Sequence, residues 1–137
     1  MIKVIVGNVE NLNGYKKIGI TKDLSEIDDG ECLEIRGVDI CNYLHITEIE
    51  KYVSELCKKL SHGGTISIGG YDIWLLQNSR NSVTVEDLNS IMFPNPSLAI
   101  KGSYTISYIA NLLFKNGIII KNKYCDETNF VISGVRP

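Results

Sequence analysis

Residues 47–64, TEIEKYVSELCKKLSHGG, restrict the fold of this chain more than any other stretch. Ile49, Tyr52, Val53, Leu56, Cys57 and Leu60 recur at three- and four-residue steps, the period that lines one face of an α-helix. Thr47 and Glu50 stand ahead of them in a capping-box pattern, and Gly63-Gly64 supplies a stop. Such a helix needs an apolar surface to cover. The segments on either side, CLEIRG at 32–37 and TISI at 65–68, are rich in β-branched and apolar residues and read as strands. A strand, a helix and a strand in that order predict a right-handed parallel crossover.

The rest of the chain extends the same pattern. IKVIVG at 2–7 reads as a buried strand, and YKKIGIT at 15–21 as a short second one. Thr84 with Asp87 caps a short helix running to about Met92, ahead of Pro94 and Pro96. Ser103 or Thr105 caps another, whose Ile106, Ile109, Ala110, Leu112 and Leu113 form an apolar stripe ending before Asn116-Gly117. IIIKNKY and FVISGV, separated by CDETN, have the spacing of an antiparallel hairpin. The expected fold is α/β: a Rossmann-like three-layer sandwich in one domain over residues 1–137, with a mostly parallel sheet of about six strands that ends in the antiparallel pair. At 137 residues such a domain buries roughly 68% of its unfolded surface and needs no staples.

Composition narrows the partners. The formal net charge is −2, and Lys and Arg are scattered in ones and twos, so nothing points to nucleic acid. Cys32, Cys41, Cys57 and Cys125 show no metal or redox spacing and read as reduced thiols. His45 and His62 lack the neighbours of a metal site. No stretch of 18 apolar residues and no leader pattern is present, which predicts a soluble, cytoplasmic protein.

Residues 31–70 resemble the central part of a small class I S-adenosylmethionine (SAM) dependent methyltransferase of the type 11 kind. The likeness rests on the strand CLEIRG, the linking turn VDICNYLH, the capped helix, and LSHGG leading into the next strand, where Leu60, Gly63 and Gly64 hold the family's Leu-x-x-Gly-Gly places. The insertion, the second long helix and the terminal hairpin extend the likeness over nearly the whole chain. The cofactor half departs from the family pattern. The turn after the first strand is Gly7-Asn8-Val9-Glu10 rather than a glycine-rich loop, and Asp23 is the nearest acid after the second strand. Fewer than thirty residues separate the first strand from CLEIRG, too few for the family's usual helix and two further strands.

The resemblance implies SAM as cofactor, near Gly7, Asn8, Val9, Asp28, Asp29 and Gly37. Asp39, His45 and Asp72 are the candidate acids or bases, and Tyr43, Tyr71 and Trp74 the candidate aromatic contacts for a small-molecule acceptor. Each also has a plain structural reading as a turn, loop or core residue. Two functions follow. One is methyl transfer from SAM to a small acceptor. The other is a catalytically inactive methyltransferase-fold module that binds or oligomerises, for instance as a homodimer through an exposed sheet edge.

Overall fold

The structure is a computed structural model that describes residues 1–7, 9–20, 23–78, 84–93 and 99–137, with the side chains of 77, 78 and 88 outside the description. Asn8, Thr21, residues 79–83 and the stretch holding Pro94 and Pro96 therefore lie outside the described residues.

Six strands, β1 (Ile2–Val6), β2 (Lys16–Ile18), β3 (Cys32–Gly37), β4 (Leu60–Tyr71), β5 (Ile119–Cys125) and β6 (Asn129–Val135), form one sheet in the order β2-β1-β3-β4-β6-β5. The first four run parallel, and β6 joins β4 and β5 antiparallel. This is the expected Rossmann-like architecture. Helix α1 (Ile49–Lys59) carries the chain from β3 to β4, and α4 (Ile106–Lys115) leads into β5. Between β4 and α4 lie α2 (Ile73–Asn78) and α3 (Val85–Met92).

Register explains the core. Val4, Ile35 and Ile66 stand side by side on three neighbouring strands, and Gly37, Ile68 and Ile132 form the next row. The branched side chains of these rows meet Ile49, Val53 and Leu56 of α1 and Ile109, Leu112 and Leu113 of α4 in one buried cluster. Each such side chain contributes about 1.5–3 kcal/mol when fully buried. The opposite face of the sheet carries polar pairs beside the buried Ile5. There Lys3 pairs with Glu34 at 3.6 Å and lies over the Tyr15 ring, and the Ser67 and Ser133 hydroxyls share a hydrogen bond of 3.0 Å.

Three local expectations need correction. Thr47 does not cap α1: its hydroxyl lies 2.9 Å from His45 Nδ1, and the His45 carbonyl accepts the Glu48 and Ile49 N–H groups instead. The helix ends at Lys59 rather than at Gly63-Gly64, because Arg136 takes over its last carbonyls, including Lys58 O at 3.2 Å. Leu60 then already belongs to β4, which bulges through Ser61–Gly64 against β3. Finally, α2 arises where no helix was expected. The Thr84–Asp87 capping box forms as read, and Thr105, not Ser103, caps α4.

Candidate functional site

In an open α/β sheet, ligands bind outside the carboxyl ends of the strands, where the chain's connections diverge to opposite sides. Here β1 connects outward to β2, and the chain then returns past β1 to β3. The divergence therefore falls between β1 and β3. Gly7 ends β1 there, with φ of +121°, and donates its N–H to Ile18 O at 3.3 Å. Gly37 ends β3, and Val38-Asp39 lead into a short 3-10 helix, Ile40–Tyr43.

The two strand ends are fitted to each other. A Cβ on Gly7 would overlap Asp39 Oδ1, so the Asp39 carboxylate is placed directly against the Gly7 turn. A Cβ on Gly37 would come within 2.7 Å of Ile40, so this glycine admits the 3-10 helix rather than a ligand. Val9 is half-buried beside this turn. The crevice thus gathers Gly7, Val9, Gly37 and Asp39 of the residues singled out in the sequence.

Asn42 locks the 3-10 helix to the neighbouring elements and had no signature in the sequence. It is buried, and its Oδ1 accepts the Tyr71 N–H at 2.7 Å. Its carbonyl accepts the Lys101 and Gly102 N–H groups at 2.7 and 3.3 Å. Gly70 lacks a side chain where one would come within 2.6 Å of Asn42 Oδ1. Through these bonds Tyr71 sits at the rim, half-buried, with its hydroxyl pKa raised by burial and then by Asp39.

The remaining candidates stand elsewhere. Asp72 is buried, and its carboxylate accepts three backbone N–H groups, from Trp74 (2.9 Å) and Leu75 (3.2 Å) on one oxygen and Ile106 (3.2 Å) on the other. It caps α2 and anchors the start of α4, a structural role for a buried carboxylate. His45 is exposed at the start of α1 with its Nδ1 turned to Thr47. Trp74 is 61% exposed on α2 rather than packed in the core. Tyr43 lines a groove along α1.

Asp28 and Asp29 precede β3 and so lie at the amino edge of the sheet, the edge away from the crevice. Asp28 closes a turn with Glu31, and Asp29 pairs with Lys59 at 2.7 Å; both are exposed. Their expected cofactor contact is corrected by that topology. Among the described residues no group of His, Cys, Asp or Glu side chains gathers as a metal site would require, and no helix is long and apolar enough to cross a membrane.

Several solved structures with this fold are described as SAM-dependent methyltransferases. One from Methanosarcina mazei superposes with a TM-score of 0.63 at 13% identity over 89% of this chain and 66% of its own. A Pyrococcus horikoshii protein matches with a TM-score of 0.66 at 11% identity, over 98% of this chain and 72% of that one. The third is 1,6-didemethyltoxoflavin-N1-methyltransferase of Burkholderia thailandensis, solved with bound 1,6-didemethyltoxoflavin and S-adenosylhomocysteine. It gives 0.59 at 11% identity over 89% of this chain and 51% of its own. The fold is therefore the one shared by class I SAM methyltransferases. The chain spans about two thirds of the length of the first of these structures and about half of the third. No protein-family model and no curated protein sequence matches the chain.

Proposed function

We propose that this chain binds SAM in the crevice between the carboxyl ends of β1 and β3 and transfers its methyl group to a small acceptor. The observation that carries this reading is the placement of the Asp39 carboxylate against the Gly7 turn. SAM bears an ammonium and a sulfonium, and a carboxylate fixed beside a side-chain-free turn at the switch point is chemically matched to a cation. The residues present thus fit the amino-acid end of SAM. Gly7, Val9 and Asp39 would hold that end, and Ile20 and Asp23, which follow β2, would flank the ribose side. When bound, SAM supplies an electrophilic methyl group. The chain's own task is to hold donor and acceptor in line and keep water out.

A second reading, an inactive module of the same fold, is favoured by one observation. Of the three candidate acids and bases, Asp72 is consumed by capping and His45 points to Thr47, which leaves Asp39 alone at the crevice. Methyl transfers that need no general base remain open to such a site.

Equilibrium dialysis with labelled SAM tests the reading. The wild-type chain should retain SAM saturably. Asp39→Asn should weaken retention about 10- to 150-fold, the range for losing a hydrogen bond to a charged group. Retention unchanged by Asp39→Asn would remove Asp39 from the site.

A further inference from the structure

α1 and α4 both pack on the sheet face that carries Val4, Ile35 and Ile66. Right-handed crossovers from β1 to β2 and from β3 to β4 step across the sheet in opposite directions, so they pass over opposite faces. The second carries α1, whereas the first, residues 7–15, contains no helix among its described residues. The face that it crosses is left open, although a sheet with parallel strands at its centre normally has both faces covered.

This open face steps up from β4 to β5. Strand pairing sets Thr65, Val135 and Ile119 in one row across β4, β6 and β5, and Ser67, Ser133 and Asn122 in the next. In each row a small side chain on β4 stands two strands from a larger one on β5. Beyond them β4 has Gly69, buried and without a side chain, and β5 has Tyr124. Ile119 is 49% exposed and Tyr124 65%.

None of these side chains is charged, so two such faces meet without like-charge repulsion. The hydrogen bond between the Ser67 and Ser133 hydroxyls uses one of their two O–H groups and leaves the other for an acceptor outside the sheet. The β5 edge itself is a poor docking strand, because Lys121, Lys123 and the bulge between Ile120 and Asn122 interrupt it.

We propose that a second copy of this chain covers this half of the open face, related to the first by a two-fold axis along β6. Rotation about that axis lays β5 of each copy over β4 of the other. Ile119 then meets Thr65, the Asn122 amide meets the remaining O–H of the serine pair, and Tyr124 fills the low ground beside Gly69. Facing sheets pack about 10 Å apart, a gap that a large side chain opposite a small one fills without collision. A contact of three strands, about 14 Å by 20 Å, is well below the roughly 800 Å² per partner of a standard interface, so the dimer is weak and concentration-dependent. It is independent of the SAM reading, since Gly7 and Asp39 take no part in it.

Sedimentation equilibrium of the full chain, from about 10 μM to about 1 mM, tests this alongside amide NMR over the same range. The average mass should climb from 15.3 kDa toward twice that value. The Thr65, Ser67, Ile119 and Asn122 amides should shift with concentration while those of Gly7 and Asp39 hold still. Tyr124→Lys and Thr65→Lys, both at exposed positions, should each weaken association about tenfold or more and leave the melting temperature of the dilute chain unchanged. Asp39→Asn should associate as the wild type does. The proposal is overturned if the mass stays at 15.3 kDa at the highest concentration, or if both lysine variants associate like the wild type. It is equally overturned if the concentration-dependent shifts gather at β2 or α2 instead.

Discussion

The Asp39 carboxylate occupies the space that any side chain at residue 7 would need, so the end of β1 and the turn after β3 are shaped around each other. Gly7→Ala meets two obstacles, the overlap with Asp39 and a φ of +121° that L residues rarely adopt. It should destabilise the chain by about 1–3 kcal/mol. Asp39→Ala removes the overlap but not the strain. In urea melts the double variant should therefore lose at least about 0.5 kcal/mol less than the two single losses added together. Strict additivity would mean that the two residues do not touch.

Asp72 joins two helix starts, those of α2 and α4, through three backbone N–H groups. Asp72→Ala leaves all three without an acceptor. At about 0.5–2 kcal/mol per lost cap, the cost for two helix starts should be about 1–4 kcal/mol. Asp72→Asn keeps one acceptor oxygen and should lose less. Amide exchange checks the cause: Trp74, Leu75 and Ile106 should lose protection in Asp72→Ala, and unchanged protection there would place the effect elsewhere.

The cysteines divide by burial. Cys125 is exposed on β5, whereas Cys32, Cys41 and Cys57 lie in the core. Burial pushes the Cys32 thiol up to about 11 and Cys57 to about 12, and raises Cys41 as well, so none of the three offers a thiolate near neutral pH. Ellman's reagent should label Cys125 at once in the native chain and the other three only as fast as the chain unfolds. Rapid labelling of more than one thiol would contradict the core.

Asp126 closes the terminal hairpin by accepting the Thr128 and Asn129 N–H groups at 3.0 and 2.8 Å, and these bonds hold its pKa below the usual carboxylate value. A depressed folded pKa stabilises above the unfolded value, about 3.9, and that stabilisation is lost as pH falls through the folded value. Wild type should therefore melt higher than Asp126→Asn above about pH 5, and the two should converge in stronger acid. The difference should be small, because this carboxylate is exposed. A gap that widens on acidification would reverse the sign of the linkage.

Much of the fold was legible because local signals and tertiary packing agree. The stripe from Ile49 to Leu56, the Thr84–Asp87 box and the hairpin around CDETN all stand where periodicity and turn chemistry put them. The failures share a cause. The end of α1 is decided by Arg136, far along the chain, and its start by the His45 carbonyl, and neither contact leaves a trace in a local pattern. The site was half legible. Gly7 and Asp39 were named separately, but their contact depends on β1 and β3 being neighbours. Asp28 and Asp29 were misplaced because a turn before a strand lies at the opposite edge from a turn after one. Asn42 was overlooked because a single buried amide carries no periodicity.

The most direct test follows the backbone amides by NMR as SAM is titrated into the native chain. Saturable shifts concentrated at residues 7–9 and 37–40 are the expected result, with S-adenosylhomocysteine moving the same amides and Asp39→Asn reducing the response. Amides that do not move at any SAM concentration, or that move only away from β1 and β3, would contradict a cofactor site at the switch point.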